Sequence, residues 1–152
     1  MDRLVGSHQI KRVTLSDGER FALLVDKSGL PDPYVARYAA IHLRNKGGSV
    51  NSMIKALGAV ALLCDWAIAR SIDLTKRLTD VELFTQGETQ SLVDWLRLSR
   101  DAKTIRHTAN VKRSPSRDRG SLIVNPATHY ARVIYVLDYV TWRCEAAIHD
   151  IP

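Results

Sequence analysis

The chain has 152 residues, with 45% hydrophobic and 25% charged side chains, which suits one domain with a real core and excludes a disordered or collagen-like chain. Its two cysteines are too few for a disulfide framework, and no Cys/His cluster has zinc-ligand spacing, so neither a metal nor another cofactor is expected. The net charge of +6 points to an anionic partner, of which nucleic acid is the commonest.

Residues 1–8 read as a loose terminus. They lack the basic start, apolar middle and small-residue cleavage site of a secretory signal, so a cytoplasmic protein is expected. Arg12 to Leu15 and Arg20 to Val25 are β-prone runs flanking Ser16-Asp17-Gly18, a strong hairpin signal. A lone hairpin is marginal in water, so it should lean on the helical body. Gly29, Pro31 and Pro33 then break the chain. The expected division is a tail and hairpin over 1–32 and a helical domain over 33–150.

Pro33 to Arg44 reads as a helix with proline in its first turn. Tyr34, Tyr38, Ile41 and the Val35/Ala39 pair make its inward stripe. Lys46-Gly47-Gly48 stops it and lacks the longer glycine pattern of a phosphate loop. Ser49 to Ser71 is the element around which the rest is organised. Apolar residues recur there at spacings of three and four, and from Ala56 to Cys64 the run is apolar or Gly without a break. Ser49 is its expected N-cap. Lys55 and Asp65 bracket only nine uncharged residues, against about 20 for a membrane span, so no membrane partner is expected. Asn51, Ser52 and Lys55 stay on the outside of the first turns. Cys64 and Cys144 read as buried thiols.

Lys76 to Phe84 is a short helical piece. Thr85-Gln86-Gly87-Glu88 has the form of a capping box and opens a helix to about Ser99, with Leu92, Val93, Trp95, Leu96 and Leu98 apolar. The basic residues then crowd together: Arg97, Arg100, Lys103, Arg106, Lys112, Arg113, Arg117 and Arg119 meet only Asp101 and Asp118 before Gly120. Eight minus two equals six, the whole excess of the chain. The middle of this loop (about 100–120), Lys112 to Gly120, has a mobile Pro/Ser/Arg composition. It suits an anionic partner, or a loop whose charge only keeps it solvated. Asn125-Pro126 marks the start of the last helix. From Thr128 to Ile148 its apolar positions are Val133, Ile134, Val136, Leu137, Val140, Trp142 and Ala146, with His129, Arg132 and Tyr135 or Asp138 away from much of that stripe. The five histidines form no nucleophilic motif. The fold class is mainly α: four to five helices with a short N-terminal β-hairpin.

Leu43-Arg44-Asn45-Lys46-Gly47-Gly48-Ser49, the helix through Trp66-Ala67, and Ser71-Ile72-Asp73-Leu74 together resemble the N-terminal core-binding (SAM-like) region of tyrosine recombinases, the phage-type integrases. Ser71 stands where that pattern has glycine. Arg77, the Thr85-Gln86-Gly87-Glu88 helix start, and Thr128 to Trp142 as a last helix extend the resemblance over about residues 10 to 148. It implies a helical clamp on the recombination-site duplex, working with a catalytic domain that would begin where this chain ends. Such a fragment carries no chemistry itself, and it could assemble as a homo-oligomer on DNA. Mapped by the resemblance, duplex contacts fall to Asn51, Ser52 and Lys55 on one helix and to Thr128, His129 and Arg132 on the other. Lys103, Arg106, Lys112, Arg113, Arg117 and Arg119 would add phosphate contacts, which serve affinity more than sequence choice. His129-x-x-Arg132 with Tyr135 and Tyr139 looks like part of a recombinase active site, but the tyrosines follow too closely. Arg132 is therefore read as a phosphate contact whose loss should leave the fold intact.

Two other classes stand beside this one. A stand-alone helical module could use its last helix and basic loop to engage a protein. A helical RNA binder would want aromatics interleaved among the basic residues for base stacking, and they are not.

Overall fold

The computed structural model describes residues 3–5, 8–99 and 123–149. Its first elements are three antiparallel strands, β1 (Arg3–Val5), β2 (His8–Thr14) and β3 (Arg20–Val25), in the spatial order β1-β2-β3. Gly18, at φ +86°, turns β2 back on β3 with Thr14 opposite Arg20. This is a left-handed turn conformation that suits glycine. The two-residue period sends Ile10, Ala22 and Leu24 into the interior.

The sheet is larger than the expected hairpin. β2 begins at His8 instead of Arg12, and β1 pairs with it, Arg3 opposite Ile10. Gln9 lies across from Val25 and Ile10 from Leu24. The polar residues at the start of β2 hide a strand that only the apolar partner strand makes evident.

Asp32 caps the short helix α1 (Pro33–Arg37), accepting from the Tyr34 and Val35 amides at 2.9 and 3.1 Å. The chain continues as a π-helical stretch, Tyr38–Leu43. Its hydrogen bonds reach five residues instead of four, so each turn is wider. Val35, Tyr38, Ala39 and Leu43 face inward, while Ile41 is 48% exposed. A uniform 3.6-residue period puts Ile41 on the inward stripe; the widened turns move it out.

Helix α2 (Val50–Ala69) is the core. The Ser49 hydroxyl accepts from the Ser52 amide at 3.2 Å, as its cap position implies. From Met53 to Ala67 nearly every side chain is buried, including Leu57, Val60 and Leu63 at 0% and Trp66 at 1% exposure. The helix has the length and composition to cross a membrane, but 61% of its most apolar 18-residue stretch is buried inside the fold. Cys64 and Cys144 are free and only half-buried; burial, aided by the Asp32 and Asp65 charges, pushes the Cys64 thiol up to about 12.

Helix α3 (Leu74–Thr79) starts two residues before the expected piece because Asp73 caps it, accepting from the Lys76 amide at 3.1 Å. Both α2 and α3 end with paired reverse bonds. Ile72 donates to the Ala67 carbonyl at 2.8 Å and Glu82 to the Arg77 carbonyl at 2.8 Å. This termination needs a left-handed residue just past the cap, usually glycine. Here Ser71 and Val81 occupy those positions, each at φ 56°. The second is the harder case, since β-branched residues resist that region.

Helix α4 (Gln86–Arg97) opens on a complete capping box. Glu88 donates its amide to Thr85 at 3.1 Å and its carboxylate accepts from the Thr85 amide at 2.9 Å. Arg77 grips the same carboxylate with two bonds, at 2.9 and 3.0 Å, tying α3 to α4. Helix α5 (Pro126–His149) closes the described chain. The Asn125 side chain caps it through the Thr128 amide at 2.8 Å. Its inward positions are His129, Arg132, Val136, Tyr139 and Arg143, at steps of three and four. Ile134 and Leu137, expected inside, are 42% and 58% exposed.

The molecule is thus mainly helical, with the sheet leaning on α2 and sharing its core: Ile10, Ala22 and Leu24 join one cluster with Leu57, Trp66, Leu96 and Val136.

Candidate nucleic-acid interface

Asn51, Ser52 and Lys55 lie on the first two turns of α2, and all three are exposed. The helix turns Met53, Ile54 and Leu57 inward, so the periodicity that buries those residues brings the polar set out. The opening N–H groups of a 20-residue helix carry the positive end of its dipole, which favours anions.

At the start of α5 the polar residues divide. Thr128 is exposed. His129 and Arg132 turn toward α4: the His129 Nε2 lies 3.0 Å from the Val93 carbonyl, and one Arg132 nitrogen, Nη1, donates to the carbonyls of Leu96 and Leu98, each at 2.9 Å. These carbonyls belong to the last turn of α4, where acceptors lose their helical partners and a cation is favourable. Arg132 therefore has a definite structural duty, which its charge and its place off the apolar stripe did not reveal.

Lys55, Thr128 and Arg132 nevertheless meet. They line one open groove of about 410 Å³ between α2 and α5, walled by Ile54, Gly58 and Tyr135 among others. Small residues on both helices, Gly58 and Ala59 facing Ala127 and Ala131, keep it from filling. Ser52 lies in an adjoining groove of about 230 Å³ with Lys46 and Asp138, and Tyr135 is common to both. Asn51 touches neither.

Beside them sits a polar hub that reading the sequence did not foresee. Asp138 accepts from the Tyr38 hydroxyl, from His42 Nε2 at 3.0 Å and from Lys46 Nζ at 3.0 Å. Burial pushes this carboxyl up, but the bonds from Tyr38, Lys46 and His42 outweigh it, and the net shift is downward. Burial and the Asp138 partner in turn raise the Tyr38 hydroxyl. The signal was the four-residue spacing of Tyr38, His42 and Lys46, which puts all three on one line against α5. His42 also stacks on Tyr38, with ring centroids 5.2 Å apart.

The basic loop is anchored next to this face. The Val124 amide donates to the Arg97 carbonyl at 2.9 Å, and Leu98 and Ile123 form an antiparallel bridge. Both ends of the segment between them are therefore held where Arg132 meets the end of α4. Lys103, Arg106, Lys112, Arg113, Arg117 and Arg119 lie outside the described residues. Among the described residues, no three His, Cys, Asp or Glu gather as a metal site would require. No protein-family model, curated protein or solved structure matches this chain.

Proposed function

We propose that this chain is the DNA-binding, core-binding (SAM-like) region of a site-specific tyrosine recombinase, gripping the recombination-site duplex for a catalytic domain of the same polypeptide. One observation carries the reading. Lys55, Thr128 and Arg132, from helices far apart in sequence, line one exposed groove beside the anchored ends of the segment that carries most of the basic excess. In this arrangement the start of α2 meets phosphate through its dipole, Asn51, Ser52 and Lys55. Thr128 reaches the groove from α5, and the loop arginines and lysines neutralise further phosphates. Arg132, bonded to the end of α4, adds its charge to the groove wall, and His129 acts mainly by holding α5 to α4. In this reading the region grips DNA and does no strand chemistry itself.

Fluorescence anisotropy with a labelled random duplex of about 30 base pairs, at several salt concentrations, tests this. Binding in the micromolar range that falls steeply with salt is expected. Replacing Lys112 and Arg113 by alanine should lower the salt slope by roughly one unit for each phosphate no longer neutralised. Lys55→Ala should do the same on a smaller scale. Absence of binding at low salt would sink the reading.

A second reading, a helical protein-interaction module, has its own support. The outward face of α5 carries Tyr130, Ile134, Leu137 and Ile148, each between 42% and 69% exposed. Where such residues join into one contiguous apolar patch, they mark an interaction surface. Failure to bind duplex together with an intact fold would bring this reading forward.

A further inference from the structure

Arg143 is 4% exposed, the one charged residue fully buried among those described. Its guanidinium lies over the Tyr34 ring, 3.7 Å from the ring centre to Cζ. Nη2 donates to the Thr79 hydroxyl at 3.3 Å and the Thr75 carbonyl at 3.5 Å, both at the long end for such bonds. The Tyr139 hydroxyl is its other polar neighbour, and Nε has no partner among the described residues. Every one of these contacts is neutral. No carboxylate among the described residues forms an ion pair with it. A buried cation without an anion is costly, and an unsatisfied buried donor calls for an explanation.

The explanation lies in the cavity that Arg143 lines. It measures about 220 Å³ and is bounded by α2, the start of α3, α5, Tyr34 of α1, and His8 of β2, whose ring is paired with Asp65. Asp32 and Asp73 also line it. Each uses one oxygen, Oδ1, to cap a helix, and the other accepts no bond from the described residues. Ile68, Ile72 and Leu74 give the wall an apolar stretch beside these charges. Asp73 and Thr75 are exposed and form the mouth.

We infer that this cavity binds a small zwitterion, a free α-amino acid with a short apolar side chain. The carboxylate completes the Arg143 guanidinium, the ammonium lies toward the spare oxygens of Asp32 and Asp73, and the side chain rests on Ile68 and Ile72. A carboxylate is the planar acceptor a guanidinium fork favours. Two aspartates at the same cavity repel a multiply charged phosphate and select a ligand that brings its own cation. This site is independent of duplex binding.

The test is a titration of the isotope-labelled full chain, followed by amide NMR, with L-leucine, acetate and inorganic phosphate as separate probes. Leucine should shift the Ile72, Thr75 and Tyr139 amides saturably in the millimolar range. Acetate should act on the same amides more weakly, and phosphate should leave them unchanged. Arg143→Met, which keeps an unbranched apolar stem but removes the guanidinium, should abolish the leucine shifts. Asp73→Asn retains a good helix cap and should weaken leucine about tenfold while leaving acetate alone. The second variant keeps the test decisive if the first does not fold. Absence of saturable leucine shifts, unchanged leucine binding in either variant, or phosphate shifts as large as those of leucine would overturn the inference.

Discussion

Helices α2 and α5 are the two long helices of this molecule, 20 and 24 residues, and they are built on opposite plans. α2 is held by apolar burial on almost every side, and the polar residues of its first turns are those left over. α5 turns two arginines and a histidine inward and leaves Tyr130, Ile134 and Leu137 in contact with water. The first plan needs only volume and hydrophobicity, which many partners satisfy. The second depends on individual acceptors: the Val93, Leu96 and Leu98 carbonyls at the end of α4, and Thr75 and Thr79 on α3. Burial of apolar area is tolerant of detail, whereas a buried guanidinium is stable only if particular oxygens await it.

The strongest break in this contrast is Trp66→Ala in α2. With the ring fully buried, the substitution should cost about 3–5 kcal/mol, enough to unfold much of the population. Denaturant melts read it, and a cost below about 1 kcal/mol would deny α2 its role as the core. Arg132→Ala in α5 strands the carbonyls of Leu96 and Leu98 and should cost about 1–3 kcal/mol. Near-neutral stability would return Arg132 to the purely ligand-directed role that its sequence position suggests.

Acid sharpens the comparison, because α5 contributes Asp138 to an ion network and the Arg77–Glu88 pair joins α3 to α4, whereas α2, apart from the His8–Asp65 pair, is held by apolar burial. Arg77, joined by the Thr85 amide, holds the Glu88 carboxyl down at about 2, and Asp138 is also depressed. A carboxylate depressed on folding stabilises the protein above its unfolded value and loses that contribution as pH falls through the folded one. Stability should therefore be flat near neutrality and decline below about pH 4.5, where unfolded glutamate begins to bind protons. In Asp138→Asn the decline should be shallower; an identical acid profile would show that the hub is not stabilising. The smallest effect belongs to Leu137→Ser on the outer face of α5. It should change stability by no more than about 0.5 kcal/mol, and a larger change would mean that this face is covered in the folded chain.

Several features were legible from local chemistry alone. Ser49, the Thr85–Glu88 box and the Asn125-Pro126 pair lie where the helices begin, because a cap is a matter of a few neighbouring residues. The core role of Ser49–Ser71 was equally evident, since a run apolar on all sides can only be buried. The exposure of Asn51, Ser52 and Lys55 follows from the same pattern.

Tertiary structure decided the rest. It alone paired β1 with β2, since strand pairing depends on a partner and not on the strand itself. It alone widened the helix at Tyr38, brought Tyr38, His42 and Lys46 onto Asp138, and joined Lys55 to Thr128 in one groove. Most of all, it chose which face of α5 turns inward. Apolar residues lie on more than one side of that helix, so hydrophobicity could not settle its orientation. The open carbonyls at the end of α4 and the oxygens of α3 could, because a guanidinium leaves water only where acceptors already stand.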